Sequence, residues 1–67
     1  METNKTAIVT GAASGLGLEL ALLLAKDSYD LILIDIDKNN LEKAQQKIAS
    51  VYKVATQLLV KDLSQPN

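Results

Sequence analysis

Three apolar segments of the chain have the length and composition of β-strands. Lys5–Thr10, "KTAIVT", is a short β-branched run that ends at Gly11. Leu31–Ile36, "LILIDI", is continuously apolar, as is typical of a parallel strand that is covered on both faces. Val54–Lys61, "VATQLLVK", has the composition of a third strand.

Two helices are predicted between these strands. Gly15–Lys26 consists mainly of Leu and Ala, and its apolar residues surround most of the helix, so we expect it to be largely buried and to end at Asp27-Ser28. Asp37–Asn40 is polar and can cap a second helix. That helix has the spacing of an amphipathic surface helix, with apolar positions at Leu41, Ala44, Ile48 and Val51.

The resulting β-α-β-α-β order predicts the α/β class with a parallel sheet. Since crossovers between parallel strands are right-handed, the three strands should lie in the order 3-2-1 with both helices on one face. The other face would then be bare, although Leu31–Ile36 is apolar on both of its faces. We expect a chain of this kind to self-associate through that face or through the open edge of the first strand.

The last residues indicate a further helix. Ser64 lies two residues before Pro66, which is the arrangement of a helix N-cap followed by proline in the first turn. We therefore interpret residues 1–67 as the N-terminal piece of a longer α/β protein.

Composition excludes several kinds of function. The chain has no cysteine and no histidine, so it offers neither disulfides nor the commonest metal ligands, and we expect no metal site. A net charge of −1 predicts no nucleic-acid partner. The polar N-terminus lacks the apolar core of a signal peptide, and no apolar run could span a membrane, so we expect a cytoplasmic location without membrane contact.

All three glycines of the chain lie in one loop, "TGAASGLG". Gly11, Gly15 and Gly17 follow a strand and open a helix, whose N-terminus attracts phosphate. Glycines at a strand-to-helix turn can also serve the turn alone. No Lys-Ser/Thr pair follows them, which excludes a mononucleotide P-loop.

The loop resembles that of the short-chain dehydrogenase/reductase family, in its short, non-extended branch. That family's loop reads TGxxxGxG, and Thr10, Gly11, Gly15 and Gly17 match it at every defined position. The resemblance covers essentially the whole chain, and it implies that residues 1–67 are the truncated N-terminal half of a dinucleotide-binding Rossmann domain. It implies that backbone N–H groups from Ser14 through Leu16 to Gly17 hold the pyrophosphate of a dinucleotide.

The resemblance also implies a residue that selects the cofactor at the end of the second strand. Asp35 stands there, about twenty residues after the loop. Its carboxylate could accept hydrogen bonds from both adenosine ribose hydroxyls, and it would repel a 2′-phosphate. Relatives that prefer NADP carry Arg or Lys at the positions of Ser14 or Ile36, so NAD is the expected cofactor and NADP is disfavoured. The alternative for Asp35 is an ordinary aspartate at a strand end.

The stretch "KDLS" supplies the last part of the predicted site. By resemblance, Asp62 and the backbone N–H of Leu63 contact adenine, together with Ile36. Taken alone, an aspartate in a polar turn is more often only solvated. Asp37 is interpreted as a helix cap rather than as a ligand.

The family's catalytic residues are not found in this chain. The Asn, the Ser and the Tyr-x-x-x-Lys motif lie beyond the third strand in such proteins, and neither Tyr29 nor Tyr52 has a lysine four places on. We expect the whole protein to be a homo-oligomeric NAD-dependent oxidoreductase that interconverts an alcohol and a carbonyl. The alternatives are a non-catalytic dinucleotide-binding module and an inactive piece that only self-associates. A Ser and a YxxxK motif after Asn67 would distinguish the enzyme from the module.

Overall fold

Three strands and two helices alternate along residues 5–62, which are the residues that the computed structural model describes. The predicted features at Leu63, Ser64 and Pro66 lie outside the described residues. The elements, in chain order, are β1 (Thr6–Thr10), α1 (Gly15–Lys26), β2 (Asp30–Asp35), α2 (Lys38–Ala49) and β3 (Thr56–Val60).

The strands form one parallel sheet in the order β1-β2-β3, which confirms the predicted order. Val9 lies beside Leu33, and Leu33 lies beside Leu58, so these three side chains share one face of the sheet. Both helices pack on that face, and they also contact each other. Because the strands are parallel, their carboxyl ends meet at a single edge.

Five of the six predicted strand boundaries were wrong, each by one or two residues. β2 begins at Asp30, because the Asp30 N–H donates to the carbonyl oxygen of Lys5 at 2.8 Å and so joins the ladder. β2 ends at Asp35, which leaves Ile36 outside the sheet and 62% exposed. β1 and β3 are shorter than predicted by one and three residues, at Lys5 and at Val54, Ala55 and Lys61.

The prediction that α1 is largely buried was wrong. Its bounds are as predicted, but only Ala21 and Ala25 are buried, whereas Leu16 is 84% and Leu23 is 63% exposed. Gly17, Ala21 and Ala25 recur every four residues and therefore form one face of the helix. Small residues on that face let the helix axis approach the sheet closely, and three of the six leucines of α1 are left exposed.

α2 is the predicted amphipathic helix, with Leu41, Ala44 and Ile48 buried. Its N-cap is Asp37, whose Oδ1 accepts the Asn40 N–H at 3.1 Å, as predicted for a cap. The predicted fourth apolar position, Val51, was wrong. The helix ends at Ala49, and Val51 is 65% exposed beyond it.

The opposite face of the sheet carries apolar side chains without a covering layer. Ile8 on β1 is 65% exposed and Leu59 on β3 is 45% exposed. Within residues 5–62 no element packs on this face, in agreement with the predicted topology. Self-association through this face stays a prediction. Neither of the two described helices is long and apolar enough to cross a membrane.

The turn after α1 uses a left-handed residue that is not glycine. Ser28 has φ 67°, its N–H donates to Ala25 O at 2.9 Å, and the Tyr29 N–H donates to Leu24 O at 3.0 Å. This is the double hydrogen bond of a Schellman C-cap, whose left-handed position favours glycine.

We expect Ser28→Gly to raise the free energy of unfolding by about 0.5–1 kcal/mol, because glycine removes the steric cost of the left-handed conformation. Urea unfolding measures this gain. Ser50→Gly is the matched control, since Ser50 has φ −72° and its hydroxyl bonds Lys47 O. The control should lose stability, and equal losses in the two variants would contradict the account.

Candidate functional site

A cleft of about 290 Å³ opens at the carboxyl edge of the sheet, where all three strands end. Four predicted site residues line it: Gly11, Asp35, Ile36 and Asp62. The predicted phosphate-binding residues Ser14, Gly15, Leu16 and Gly17 do not line this cleft but lie next to it, at the start of α1. The predicted Leu63 is outside the described residues.

The glycines of the loop serve two different purposes. Gly11 and Gly15 have φ 64° and 60°, and a Cβ at either position would meet nothing within 4 Å. Their role is therefore conformational, since the left-handed region disfavours residues with a Cβ. Together they turn the chain from the end of β1 into the first turn of α1.

Gly17, in contrast, is required for space. A Cβ there would overlap the carbonyl oxygen of Gly11 and lie 2.6 Å from its carbonyl carbon and 3.0 Å from Thr10 O. These are backbone atoms, which cannot move aside as a flexible side chain would. Gly17 thus lets the first turn of α1 pack directly against the end of β1.

The start of α1 presents N–H groups that have no acceptor among the described residues. Ser14 is the N-cap with extended backbone, and its hydroxyl makes no capping hydrogen bond. The first helical hydrogen bond runs from the Leu18 N–H to Ser14 O at 3.4 Å. The N–H groups of Gly15, Leu16 and Gly17 precede it, and they can donate to an anion at the helix N-terminus.

The Asp35 carboxylate lies between the glycine loop and the start of α2. Its Oδ2 accepts the Ala13 N–H at 3.0 Å, and its Oδ1 accepts the Asp37 N–H at 3.2 Å. The Ala13 N–H above all, with those of Asp37 and Ile36, holds the pKa of this carboxyl below its ordinary value, although burial opposes them. Asp35 is therefore an anion at neutral pH.

The charge and the remaining lone pairs of Asp35 suit a ligand that donates hydroxyl hydrogen bonds. A carboxylate offers about four lone-pair directions, so the two hydrogen bonds to Ala13 and Asp37 leave capacity for further donors. The Asp37 carboxylate has a different role, because both of its oxygens accept hydrogen bonds from Asn40 in the cap of α2. The interpretation of Asp37 as a cap is confirmed.

The third side of the cleft comes from the segment after β3. The Lys61 N–H donates to Asp35 O at 2.9 Å, which continues the sheet pairing past Val60 and brings Asp62 to the cleft. Lys61 is the one cation among the residues that line this cleft, and it was not among the predicted site residues. Its position one residue after a strand that ends at this edge was the available signal.

Ala13, whose backbone N–H donates to Asp35, was not a predicted site residue either. The side chain of alanine carries no chemistry, so only the fold could reveal this contact. Among residues 5–62 there is no group of three or more side chains that could hold a metal ion.

Comparison with known proteins identifies a family and similar curated proteins. The profile of the short chain dehydrogenase family matches residues 5–67. A very-long-chain 3-oxoacyl-CoA reductase of Candida albicans is 39% identical over 62 residues, which are 92% of this chain and 18% of that protein.

Solved structures of similar proteins agree with the fold. An alcohol dehydrogenase from the archaeon Thermococcus sibiricus, complexed with 5-hydroxy-NADP, has a TM-score of 0.88 at 32% identity, over 94% of this chain and 27% of that one. L-Sorbose reductase from Gluconobacter frateurii, complexed with NADPH and L-sorbose, has a TM-score of 0.90 at 26% identity. The match covers 96% of this chain and 24% of that one. This chain therefore spans about a quarter or less of the length of these similar proteins.

Proposed function

Because this chain belongs to the short chain dehydrogenase family, we propose that it binds the adenosine diphosphate portion of NAD within an oxidoreductase. The observation that carries the proposal is the start of α1, where three successive N–H groups lack a protein acceptor in the described part of the chain. These donors adjoin the cleft that contains Asp35.

The pyrophosphate is assigned to the N-terminus of α1. The N–H groups of Gly15, Leu16 and Gly17 would donate to its oxygens, and Ser14 adds a hydroxyl that makes no capping bond. Gly11 and Gly15 turn the chain into α1, and the space that a Cβ would enter at either position is open. The partial positive charge of the helix N-terminus adds to the attraction.

The adenosine is assigned to the cleft. Asp35 would accept hydrogen bonds from the two ribose hydroxyls, using lone pairs that Ala13 and Asp37 leave open. Ile36, which is 62% exposed and lines the cleft, offers an apolar surface to adenine. Asp62, and Leu63 beyond the described residues, would complete the contacts with the adenine edge.

NAD is proposed rather than NADP because of the charge at Asp35. A 2′-phosphate would lie against a carboxylate whose pKa is lowered and which is therefore ionised. The repulsion is about 1–4 kcal/mol at a separation near 4 Å. NADP and NADPH in the two solved structures named above belong to those proteins, and the proposal for this chain depends on its own Asp35.

The reaction proposed for the whole protein is hydride transfer between an alcohol or carbonyl substrate and the nicotinamide. When bound, NAD would supply the nicotinamide that accepts hydride from an alcohol or, in its reduced form, donates hydride to a carbonyl. The residues of this chain would bind and orient the other half of the cofactor. The chain contains no YxxxK motif, so the acid–base residues would come from outside these 67 residues. A homo-oligomeric, cytoplasmic protein is part of the same proposal.

Binding calorimetry of this chain with NAD and with NADP tests the proposal. We expect micromolar binding of NAD, and binding of NADP at least about tenfold weaker. Asp35→Asn should reduce the difference between the two cofactors, because it removes the repulsive charge.

Asp27→Asn is the matched control, since Asp27 is an exposed aspartate at the C-cap of α1, away from the cleft. It should leave both affinities unchanged. Equal or tighter binding of NADP by the parent chain would refute the choice of NAD, and no binding of either cofactor would refute the proposed function.

A further inference from the structure

Two successive backbone N–H groups of the glycine loop donate hydrogen bonds to the end of β2. The Ala12 N–H donates to Ile34 O at 3.1 Å, and the Ala13 N–H donates to Asp35 Oδ2 at 3.0 Å. The first bond is between backbone groups and would form with any side chain at these positions. The second depends on the side chain of residue 35, which lies 22 residues along the chain from Ala13.

The Asp35 side chain is itself held in place for this contact. Its other oxygen accepts the Asp37 N–H at 3.2 Å, so hydrogen bonds on two sides fix the plane of the carboxylate. Ala13 is only 9% exposed. If the carboxylate were removed, the Ala13 N–H would lose its acceptor at a partly buried position, and that is unfavourable.

We propose that Asp35 is a positioning residue for the glycine loop, in addition to the ribose contact proposed above. Its carboxylate fixes the loop between β1 and α1 before any nucleotide binds, and so sets the direction of the N–H groups at the start of α1. What the loop binds rests on the proposed function. The hydrogen bond between Asp35 and Ala13 does not, because it forms in the chain alone.

The two roles of Asp35 predict opposite effects on a simple anion. A carboxylate that only contacts ribose would repel a nearby pyrophosphate, so its removal would tighten anion binding. A carboxylate that holds the loop would weaken anion binding when it is lost. Inorganic pyrophosphate has no ribose, and it therefore separates the two effects.

The first experiment follows the Ala13 amide by ¹⁵N NMR in the ligand-free chain. In the parent, we expect Ala13 exchange to be at least about tenfold slower than in Asp35→Ala. Asp35→Asn should keep most of the protection, since its amide oxygen can still accept the bond. Asp27→Asn serves as the control with unchanged exchange, and equal Ala13 exchange in the parent and in Asp35→Ala would overturn the proposal.

An acid titration of the parent chain provides a readout that is independent of any variant that fails to fold. The Ala13 amide shift should follow the ionisation of Asp35, with a midpoint below the ordinary value for aspartate. Other charged groups near the cleft are Asp37 at the cap of α2, and Lys61 and Asp62 after β3. Asp35→Asn should abolish the titration of Ala13, and persistence of that titration would overturn the assignment.

The second experiment measures the affinity for inorganic pyrophosphate by calorimetry. We expect Asp35→Ala to bind it several-fold more weakly than the parent, and Asp35→Asn to bind it at least as tightly as the parent. Equal or tighter binding by Asp35→Ala would overturn the positioning role. If the parent binds neither pyrophosphate nor NAD while Ala13 loses its protection in Asp35→Ala, the proposed function fails and the positioning role stands.

Discussion

Gly17→Ala is expected to destabilise the chain by about 3 kcal/mol or more and to abolish dinucleotide binding. The new Cβ would overlap the Gly11 carbonyl, so the first turn of α1 would have to move away from the end of β1. That movement separates the helix N-terminus from the cleft. Urea unfolding gives the loss of stability, and calorimetry with NAD gives the loss of binding.

The direction of the change in stability distinguishes close backbone packing at Gly17 from an ordinary helix position. In an ordinary helix interior, alanine is more favourable than glycine by about 1 kcal/mol, so the same substitution would stabilise the chain. Gly15→Ala is the matched comparison, because Gly15 has φ 60° and open space around its Cβ position. It should cost only about 1–2 kcal/mol. A Gly17→Ala chain as stable as the parent would contradict the close packing of α1 on β1.

The double substitution Asp35→Ala, Ile36→Arg is expected to shift the cofactor preference toward NADP. It removes the charge that would repel a 2′-phosphate and adds a guanidinium at an exposed position of the same cleft. The ratio of NADP to NAD affinity should rise at least about tenfold, and up to a few hundredfold. The affinity for NAD should fall, because its ribose loses the carboxylate acceptor and Ala13 loses its own acceptor.

Comparison with Ile36→Arg alone separates the two contributions. The single variant keeps the Asp35 carboxylate, which can pair with the new guanidinium, so its shift in preference should be smaller. Dissociation constants for both cofactors, measured on the parent and the two variants, provide the test. An unchanged ratio in the double variant would refute the role of Asp35 in selecting NAD.

Much of the fold could be predicted because it depends on local pattern. Strand-length apolar runs alternating with helix formers predict a parallel sheet, and the handedness of crossovers predicts its order. The orientation of α1 could not be predicted in this way. A helix that is apolar all round does not reveal which face packs, and here Ala21 and Ala25 are buried while Leu16 and Leu23 are exposed.

The candidate site also has features that the sequence predicts and features that only the structure shows. The spacing of the glycines and the position of Asp35 at a strand end are visible in the sequence, and the structure brings Gly11 and Asp35 to one cleft. The sequence does not show why each glycine is needed. Gly11 and Gly15 are needed for their positive φ, and Gly17 is needed because its Cα lies close to the backbone of Gly11. The bond from Ala13 to Asp35 joins distant residues and required the fold.

We propose that the carboxyl edge of this sheet binds the adenosine diphosphate half of NAD. Titration of the ¹⁵N-labelled chain with NAD, followed by amide shifts, is the decisive test. The largest shift changes are expected at residues 11–17, 35–36 and 61–62. Changes concentrated on the open face around Ile8 and Leu59, or no changes at saturating NAD, would contradict it.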